Sequence, residues 1–175
     1  MFKLPAWVTK TFTPPSVTQT GNRIPELLVQ MVKGYEGFAR VVKWAPGVTL
    51  YAVPYRCPAG FWTIGYGELC QPDHPPISEP DAARRLRTVL LPAYVGHALR
   101  LSPGLRREPE RRLVAIADFI YNLGPTRYAA STLRRRVDAR RWAEASYEIK
   151  KWVWGGGKKL PGLVKRRGVE AELLT

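Results

Sequence analysis

Three polar side chains in the first half of the chain have the types and spacing that chemistry needs. Glu36 is an acid, and it precedes a turn-rich segment that carries the thiol of Cys57 and, six positions later, the hydroxyl of Thr63. A carboxyl group can donate a proton to a leaving oxygen, and a thiol and a hydroxyl can hold a water molecule. Apolar neighbours on both sides of Glu36 predict surroundings that favour its protonated form.

Cys57 allows two interpretations. An ordinary thiol ionises at about pH 8.5, so near neutral pH it is mostly uncharged and is a poor base. Cys57 is therefore either part of a site or a small buried thiol. Cys57 and Cys70 are the only two cysteines, and a hairpin that brought them together would allow one disulfide.

The elements expected to position these residues follow from the spacing of apolar residues. From Ile24 to Tyr35 the spacing predicts a helix with Asn22 as its cap, which puts Glu36 at its end. Residues 38–67 are rich in strand formers and predict a small antiparallel sheet. Residues 68–78 are rich in proline and predict a loop, after which Ser78 caps the next helix.

The rest of the chain is predicted to be helical. One apolar face predicts a long helix over residues 79–101, kinked near Pro92. A last helix is predicted from Leu163 to Leu174, and arginine-rich segments such as 165–167 are interpreted as solvated helix faces. Two apolar stripes predict buried helices; they consist of Leu113, Ile116, Ala117, Ile120 and Tyr121, and of Trp142, Ala145, Ile149 and Trp152.

The predicted fold class is therefore α+β, with a small antiparallel sheet lobe joined by a long helix to a larger helical lobe. We expect an extended tail over residues 1–21 and one domain over residues 22–175. Within that domain the sheet lobe spans about 38–70, the connecting helix about 79–101 and the helical lobe about 105–175. A chain of 175 residues has the usual size of one domain.

The charge of the chain indicates a polyanionic partner. Its 28 Lys and Arg against 14 Asp and Glu give a net charge of +14. Nucleic acid, anionic lipid, lipopolysaccharide and anionic cell-wall polymers all fit this charge. The sequence contains no recognisable nucleic-acid-reading motif, so a specific nucleic-acid partner is not expected.

Metal sites and membrane-targeting segments are not predicted either. His74 and His97 have no ligand partners at metal spacing, and we expect neither a metal nor an organic cofactor. No apolar run approaches the ~20 residues of a membrane span. Residues 1–20 contain no apolar core of signal-peptide length, so we also expect no signal peptide.

Several separated motifs resemble those of phage-type lysozymes, glycoside hydrolase family 24. The first is Glu36-Gly37 followed by Thr63-Ile64-Gly65-Tyr66-Gly67, which resembles the active-site region of that family. The others follow in the same order: Phe119 to Gly124, Ser131-Thr132-Leu133, Trp152 to Val164, and Arg166-Arg167 with Glu170. The resemblance implies a lysozyme-like fold and a monomeric endolysin. Such an enzyme hydrolyses the β-1,4 bond between N-acetylmuramic acid and N-acetylglucosamine in peptidoglycan and lyses the host.

The resemblance also implies roles for individual residues. Glu36 is the proton donor, and Cys57 and Thr63 position the attacking water, which would invert the anomeric centre. Tyr66, Asn122 and Gly60 are the implied substrate-binding residues. The implied location is the host cytoplasm before lysis, with a separate holin-type pore giving access to periplasmic peptidoglycan.

The sequence departs from the family pattern at three places. Cys57 stands where the family has Asp, and Glu68 stands where a His is common. The separation of Cys57 from Glu36 is 21 positions, longer than usual, and the extra residues around Lys43–Gly47 resemble a loop insertion. Glu68 either supplies the missing carboxylate or is a strand-end residue at the surface.

Two rival functions remain open at this point. Without the Asp, a lytic transglycosylase needs only one acid/base group and would leave 1,6-anhydro-muramic acid. A cationic, membrane-disrupting antibacterial protein is the second rival, favoured by the net charge and by the basic last helix over residues 164–172. Binding to anionic outer-membrane or cell-wall polymers is compatible with each of these functions.

Overall fold

The computed structural model describes residues 24–38, 41–43, 50–57 and 60–175. The tail predicted for residues 1–21, the cap residue Asn22 and most of the insertion predicted around residues 43–47 lie outside this part of the chain.

The first described helix, α1, spans Glu26–Glu36 and ends at the candidate acid. Pro25 occupies its N-cap position, so the prediction that Asn22 caps this helix is wrong. At the other end Gly37 has φ +67° and donates its N–H to the carbonyl of Lys33. A left-handed glycine of this kind ends a helix sharply, which fixes Glu36 as its last residue.

Two antiparallel three-stranded sheets follow instead of the single small sheet that was predicted. The first has the order β1-β2-β6 and the second the order β3-β4-β5. The loop predicted for residues 68–78 is wrong at both ends. Residues 68 and 69 form a strand that pairs with β4, and residues 77 and 78 form a strand that pairs with β2. The strands are β1 Val41–Lys43, β2 Leu50–Ala52, β3 Tyr55–Arg56, β4 Trp62–Ile64, β5 Glu68–Leu69 and β6 Ile77–Ser78.

The segment 79–101 is helical throughout, but its hydrogen bonding changes in the middle. It consists of α2 (Glu79–Arg85), a π-helical turn (Leu86–Leu90) and α3 (Leu91–Leu101). Ser78 Oγ accepts the N–H of Asp81 at 3.2 Å, which confirms the predicted cap. The π-helical turn ends two residues before Pro92, which has no N–H to donate to the regular helical ladder.

The helical lobe is built around α4, in which residues 114–120 are all buried. Helices α1, α3 and α8 pack against α4, so the apolar face of each helix meets the same core. The elements of this lobe are a 3-10 turn Pro103–Arg107, α4 Glu110–Leu123, α5 Pro125–Ala129, α6 Thr132–Asp138, α7 Trp142–Ile149, β7 Trp154–Gly155, β8 Lys158–Lys159 and α8 Pro161–Leu174.

A β-hairpin interrupts this lobe, where the sequence analysis predicts only helices. Strands β7 and β8 pair antiparallel through a two-residue turn. Gly156 and Gly157 in that turn have φ +56° and +75°, as a type I′ hairpin turn requires at both central positions. None of the helices in the described ranges is long and apolar enough to cross a bilayer.

Candidate active site

The Glu36 carboxylate lies between an arginine and the turn that follows β4. Its Oε1 accepts a hydrogen bond from Arg166 Nη1 at 2.6 Å, and its side chain is 27% exposed. Its Oε2 lies on the side of the turn, 4.0 Å from the position that a Cβ on Gly67 would occupy. The purely apolar surroundings predicted for Glu36 are therefore wrong, because a guanidinium contacts the acid.

Arg166 joins three helices at this point. Its Nε and Nη2 donate to the two carboxylate oxygens of Asp118 at 2.8 and 2.9 Å, while its Nη1 reaches Glu36. Asp118 is completely buried in α4, and Arg166 in α8 is 3% exposed. A two-pronged contact of this kind fixes the plane of the guanidinium. Arg166 is thus held rigidly by α4 and presents its remaining nitrogen to the end of α1.

The charges in this contact stabilise each other. Burial alone would raise the pKa of Asp118, but the charge and the hydrogen bonds of Arg166 hold it below its usual value. Burial acts to lower the pKa of Arg166, yet the carboxylates of Asp118 and Glu36 raise it. Both groups are therefore ionised at neutral pH. Burial raises the pKa of Tyr35 to about 12, so the phenol whose ring faces Arg166 at 5.1 Å is neutral.

A second arginine extends the cluster to Asn122. Arg167 Nη2 donates to Asn122 Oδ1 at 2.8 Å, and its Nη1 lies 3.0 Å from Glu170 Oε2. Arg167 and Glu170 are both completely buried. Burial raises the pKa of Glu170 well above its usual value and lowers that of Arg167. Because the pKa of Glu170 is raised, its protonated form is favoured beside the ionised Asp118.

The hairpin formed by β3 and β4 positions both Cys57 and Thr63. Tyr55 pairs with Thr63 across β3 and β4, and side chains alternate between faces along a strand. Cys57 follows directly after β3, and continued alternation from Tyr55 predicts the same face for it as for Thr63. The N–H of Cys57 donates to the carbonyl of Phe61 at 2.9 Å and its carbonyl accepts the N–H of Gly60 at 2.8 Å. Backbone hydrogen bonds thus fix Cys57 at the end of the hairpin.

Cys57 and Cys70 are both free thiols. Cys57 bonds to one side of β4, through Phe61, and Cys70 bonds to the other side, through Trp62. Neighbouring strands are about 4.8 Å apart, so the two Cα atoms are separated by roughly 10 Å, which is too far for a disulfide. Burial raises the pKa of the Cys70 thiol, which makes it the less reactive kind of thiol.

The remaining predicted residues have different surroundings. Thr63 is buried and donates to the carbonyl of Tyr55 at 3.3 Å. Tyr66 is 4% exposed, and its hydroxyl donates to Glu79 at 2.6 Å. Gly60 is exposed and has φ +85°. The ring of Tyr66 therefore lies beneath the turn, whereas Gly60 lies at the surface of the hairpin.

Glu68 is committed to an ion pair. Both of its carboxylate oxygens accept hydrogen bonds from Arg85, at 2.8 and 2.5 Å, and its side chain is only 14% exposed. Glu68 thus links β5 to α2. Because both of its carboxylate oxygens bond to Arg85, Glu68 does not supply the carboxylate that the family pattern has at position 57.

The sequence interpretation missed several groups around Glu36. It treated residues 165–167 as a solvated face, which is wrong for Arg166 and Arg167, since both are buried. The signal for them was Asp118, a carboxylate in the middle of an apolar run, because a buried charge requires a partner. Tyr121 was assigned only to the core, yet its hydroxyl donates to the carbonyl of Tyr66 at 2.6 Å and so supports the turn beside Glu36.

No three His, Cys, Asp or Glu side chains of the described ranges come together in a way that could hold a metal ion. The arrangement instead offers a carboxyl group fixed by an arginine, a hydroxyl in β4 and a thiol at the end of the hairpin that contains β4. These are groups for proton transfer and for holding water.

Comparison with known proteins finds relatives of this chain. The family model described as phage lysozyme matches residues 48–170. An endolysin of Acyrthosiphon pisum secondary endosymbiont phage 1 is 31% identical over 144 residues, covering 76% of this chain and 91% of that protein. A SAR-endolysin of Bacteriophage PS119 is 27% identical over 69% of this chain and 71% of its own length. Among solved structures, the muramidase domain of SpmX from Asticaccaulis excentricus has a TM-score of 0.68 at 26% identity, covering 87% of this chain and 97% of that one.

Proposed function

Because the chain belongs to the phage lysozyme family, we propose that Glu36, Cys57 and Thr63 form the catalytic site of a lysozyme. The enzyme is an endolysin: it hydrolyses the β-1,4 bond between N-acetylmuramic acid and N-acetylglucosamine in peptidoglycan, its substrate, and so lyses the host cell. The observation that carries the assignment of residues is the position of Glu36, with Oε1 bonded to Arg166 and Oε2 on the side of Gly67.

In this proposal Glu36 is the proton donor. Glycoside cleavage needs a carboxylic acid that protonates the leaving oxygen as the bond breaks. Oε2 holds that proton, because Oε1 is occupied by Arg166. Once the proton has been transferred, the guanidinium stabilises the carboxylate that remains. Arg166 is therefore a positioning residue that acts through Glu36.

Cys57 and Thr63 hold the attacking water in the same proposal. The Thr63 hydroxyl donates to the carbonyl of Tyr55, which leaves its oxygen lone pairs available to accept from water. Continued alternation from Tyr55 predicts the same face for Cys57, and its thiol is a weak donor and acceptor. Water held there attacks from the face opposite the leaving group, so the anomeric configuration of the product is inverted.

Three further residues are proposed to bind the glycan. Gly60 offers exposed backbone at the hairpin, where the absence of a side chain allows a sugar ring to approach closely. Asn122 presents its amide group from a side chain fixed by Arg167. Tyr66 contributes through the turn, since its ring is buried and its carbonyl is bonded to Tyr121.

The test is mass spectrometry of the fragments released from purified peptidoglycan, with Glu36→Gln as the inactive variant. We expect reducing muramic-acid ends from the wild type and none from the variant. Anhydro-muramic ends would assign a transglycosylase and refute the water-holding role of Cys57 and Thr63. The matched control is Cys70→Ala, which removes the other free thiol of the same sheet and should leave the product pattern unchanged.

We propose the delivery route implied by the sequence: a monomer accumulates in the host cytoplasm and reaches periplasmic peptidoglycan through a separate holin-type pore. Expression without a pore should then leave cells intact until the inner membrane is permeabilised. Lysis on induction alone would contradict this route, and light scattering of the purified protein measures its oligomeric state.

A further inference from the structure

The β7–β8 hairpin exposes apolar side chains between lysines. Trp154 is 65% exposed and Leu160, directly after the hairpin, is 40% exposed. Trp154 pairs across the two strands with Lys159, and Gly155 pairs with Lys158. Trp154 and Lys159 therefore share one face of the hairpin, while Lys158 and Leu160 share the other. Neither Trp154 nor Leu160 is needed to fill the core, and neither belongs to the site around Glu36. We call the exposed end of the hairpin formed by Trp154, Lys158, Lys159 and Leu160 the hairpin surface.

The hairpin surface is held in place by the chain on both sides of it. Val153, just before it, is 6% exposed and anchors it in the core. The N–H of Leu160 donates to the carbonyl of Val153 at 2.9 Å and extends the ladder by one bond. A Cβ on Gly155 would lie only 2.7 Å from Leu160 Cδ1, so Leu160 lies directly against the backbone of the hairpin.

In the part of the chain that the structure describes, most lysines of this region are not paired with an acid. Residues 149–169 contain no Asp or Glu, and five lysines of this stretch are exposed. All 14 acidic residues of the chain lie in the described ranges. Of these five lysines, Lys151 forms an ion pair within the described ranges, with Glu148 at 2.7 Å. The other four form none there; they are Lys150, Lys158, Lys159 and Lys165. This contrasts with arginines such as Arg85, whose charge is paired.

We propose that the hairpin surface docks the enzyme on an anionic phospholipid bilayer. Lysines beside an anionic bilayer attract it at close range. The indole of tryptophan, with an apolar body and one polar N–H, prefers the boundary between headgroups and acyl chains. Burying the Leu160 side chain at that boundary lowers its free energy, because it leaves water. An acidic polysaccharide in water has no apolar layer that could bury Leu160, so a bilayer is the better partner. The hairpin enters the headgroup region edge-on, so that Trp154 and Lys159 on one face and Lys158 and Leu160 on the other both contact lipid. It does not cross the bilayer, so docking leaves the membrane intact.

The experiment measures partitioning of the purified protein onto vesicles by co-sedimentation. Vesicles of phosphatidylglycerol and phosphatidylcholine are compared with vesicles of phosphatidylcholine alone. We expect binding only to the anionic vesicles. The double substitution Lys158→Gln/Lys159→Gln should weaken it by on the order of 25-fold, at about fivefold per lysine. Trp154→Ala should weaken it by roughly tenfold.

The matched control is Arg106→Gln/Arg107→Gln. These two arginines lie in the 3-10 turn, are exposed and form no ion pair within the described ranges, so the control removes the same net charge from another surface. The control should bind as the wild type does, and cleavage of solubilised peptidoglycan fragments should be unchanged in every variant.

Three results would overturn the proposal. If Arg106→Gln/Arg107→Gln weakened vesicle binding as much as Lys158→Gln/Lys159→Gln, net charge alone would be responsible for the binding. If Trp154→Ala bound anionic vesicles as tightly as the wild type, Trp154 would not enter the lipid boundary. Soluble polyglutamate can compete with the vesicles for the protein. If it displaced the wild type and Trp154→Ala from vesicles equally well, the hairpin surface would bind soluble polyanions and not lipid.

Discussion

Removing the guanidinium of Arg166 is expected to destabilise the whole fold. Arg166→Met keeps the apolar stem of the side chain and deletes the groups that bond to Asp118 at 2.8 and 2.9 Å. Asp118 has 0% exposure, so it cannot recover hydration in the folded state. The substitution therefore leaves a carboxylate buried without its main partner.

The size of the effect follows from these contacts. Hydrogen bonds to charged groups contribute about 1.5–3 kcal/mol each, and breaking a buried pair by removing one partner costs about 3–5 kcal/mol. We expect the free energy of unfolding to fall by about 4 kcal/mol. At about 2–4 °C per kcal/mol for a chain of this size, the Tm falls by roughly 8–16 °C. The bond to Glu36 adds little to this loss, because that carboxylate is 27% exposed and water screens it.

The assay is urea-induced unfolding followed by circular dichroism at pH 7, arranged as a double-mutant cycle with Asp118→Leu. Removing both partners should cost less than the sum of the single losses, with a coupling of about 2–3 kcal/mol. Arg127→Met, an exposed arginine of α5, is the control and should change the free energy of unfolding by less than about 0.5 kcal/mol. Additive single losses would refute the reasoning.

The same pair gives a pH dependence with a definite sign. Because Arg166 holds the pKa of Asp118 below its usual value against the opposing effect of burial, the stabilising contribution of Asp118 is present above the unfolded pKa of about 3.9. It is lost as the pH falls through the lower folded pKa. In Arg166→Met the guanidinium is gone and burial raises the pKa of Asp118, so the variant regains stability as Asp118 becomes protonated. The difference in the free energy of unfolding between wild type and Arg166→Met should therefore shrink as the pH falls, beginning at the raised pKa of Asp118 in the variant and ending below its lowered pKa in the wild type.

Three further predictions concern the acid, the thiol and the buried glutamate. Glu36→Gln should lower the rate of peptidoglycan hydrolysis by at least about 100-fold. The same substitution should change the free energy of unfolding by less than about 1 kcal/mol. Activity of this variant in a reducing-end assay would contradict the role of Glu36. Cys57→Asp should hydrolyse faster than Cys57→Ala, since a carboxylate is the better base for water, and equal rates in the same assay would exclude position 57 from water activation. Glu170 has a raised pKa through burial, so the stability it contributes is full below the unfolded pKa of about 4.3 and declines as the pH rises toward the folded value. Glu170→Gln should remove that decline in urea unfolding curves measured from pH 4 to pH 8, and an unchanged slope would contradict it.

The local features of the site were predictable from the sequence. The apolar spacing after Ile24 and the glycine at position 37 are enough to end a helix at Glu36, because both act within one or two turns of the chain. Ser78 was predictable as a cap for the same reason. The strand pairing around Thr63 also followed from local composition, although the division into two sheets did not, because pairing partners such as β2 and β6 are far apart in sequence.

The groups around Glu36 could not be assigned from local patterns. Arg166 and Arg167 occupy the first half of a helix whose sequence alternates charged and apolar residues, so spacing alone does not tell which face is buried. The burial of Arg166 depends on Asp118, 48 positions away, and Arg167 bonds to Asn122, 45 positions away. A lone carboxylate in an apolar stripe was the available signal, and it predicts a buried cation without saying which of 28 Lys and Arg residues supplies it.

The two halves of the proposed site are held by different means, and this difference explains how the fold accommodates a cysteine at position 57. Glu36 depends on side chains from α4 and α8, so a change near it alters the fold and the chemistry together. Cys57 is held by its own backbone, through bonds to Phe61 and Gly60, and its side chain carries no ion pair. Exchanging a carboxylate for a thiol there changes how water is held while the buried charges of Arg166 and Asp118 stay matched. We therefore expect substitutions at position 57 to act on the rate of hydrolysis and not on the free energy of unfolding, and substitutions at Arg166 to act on both.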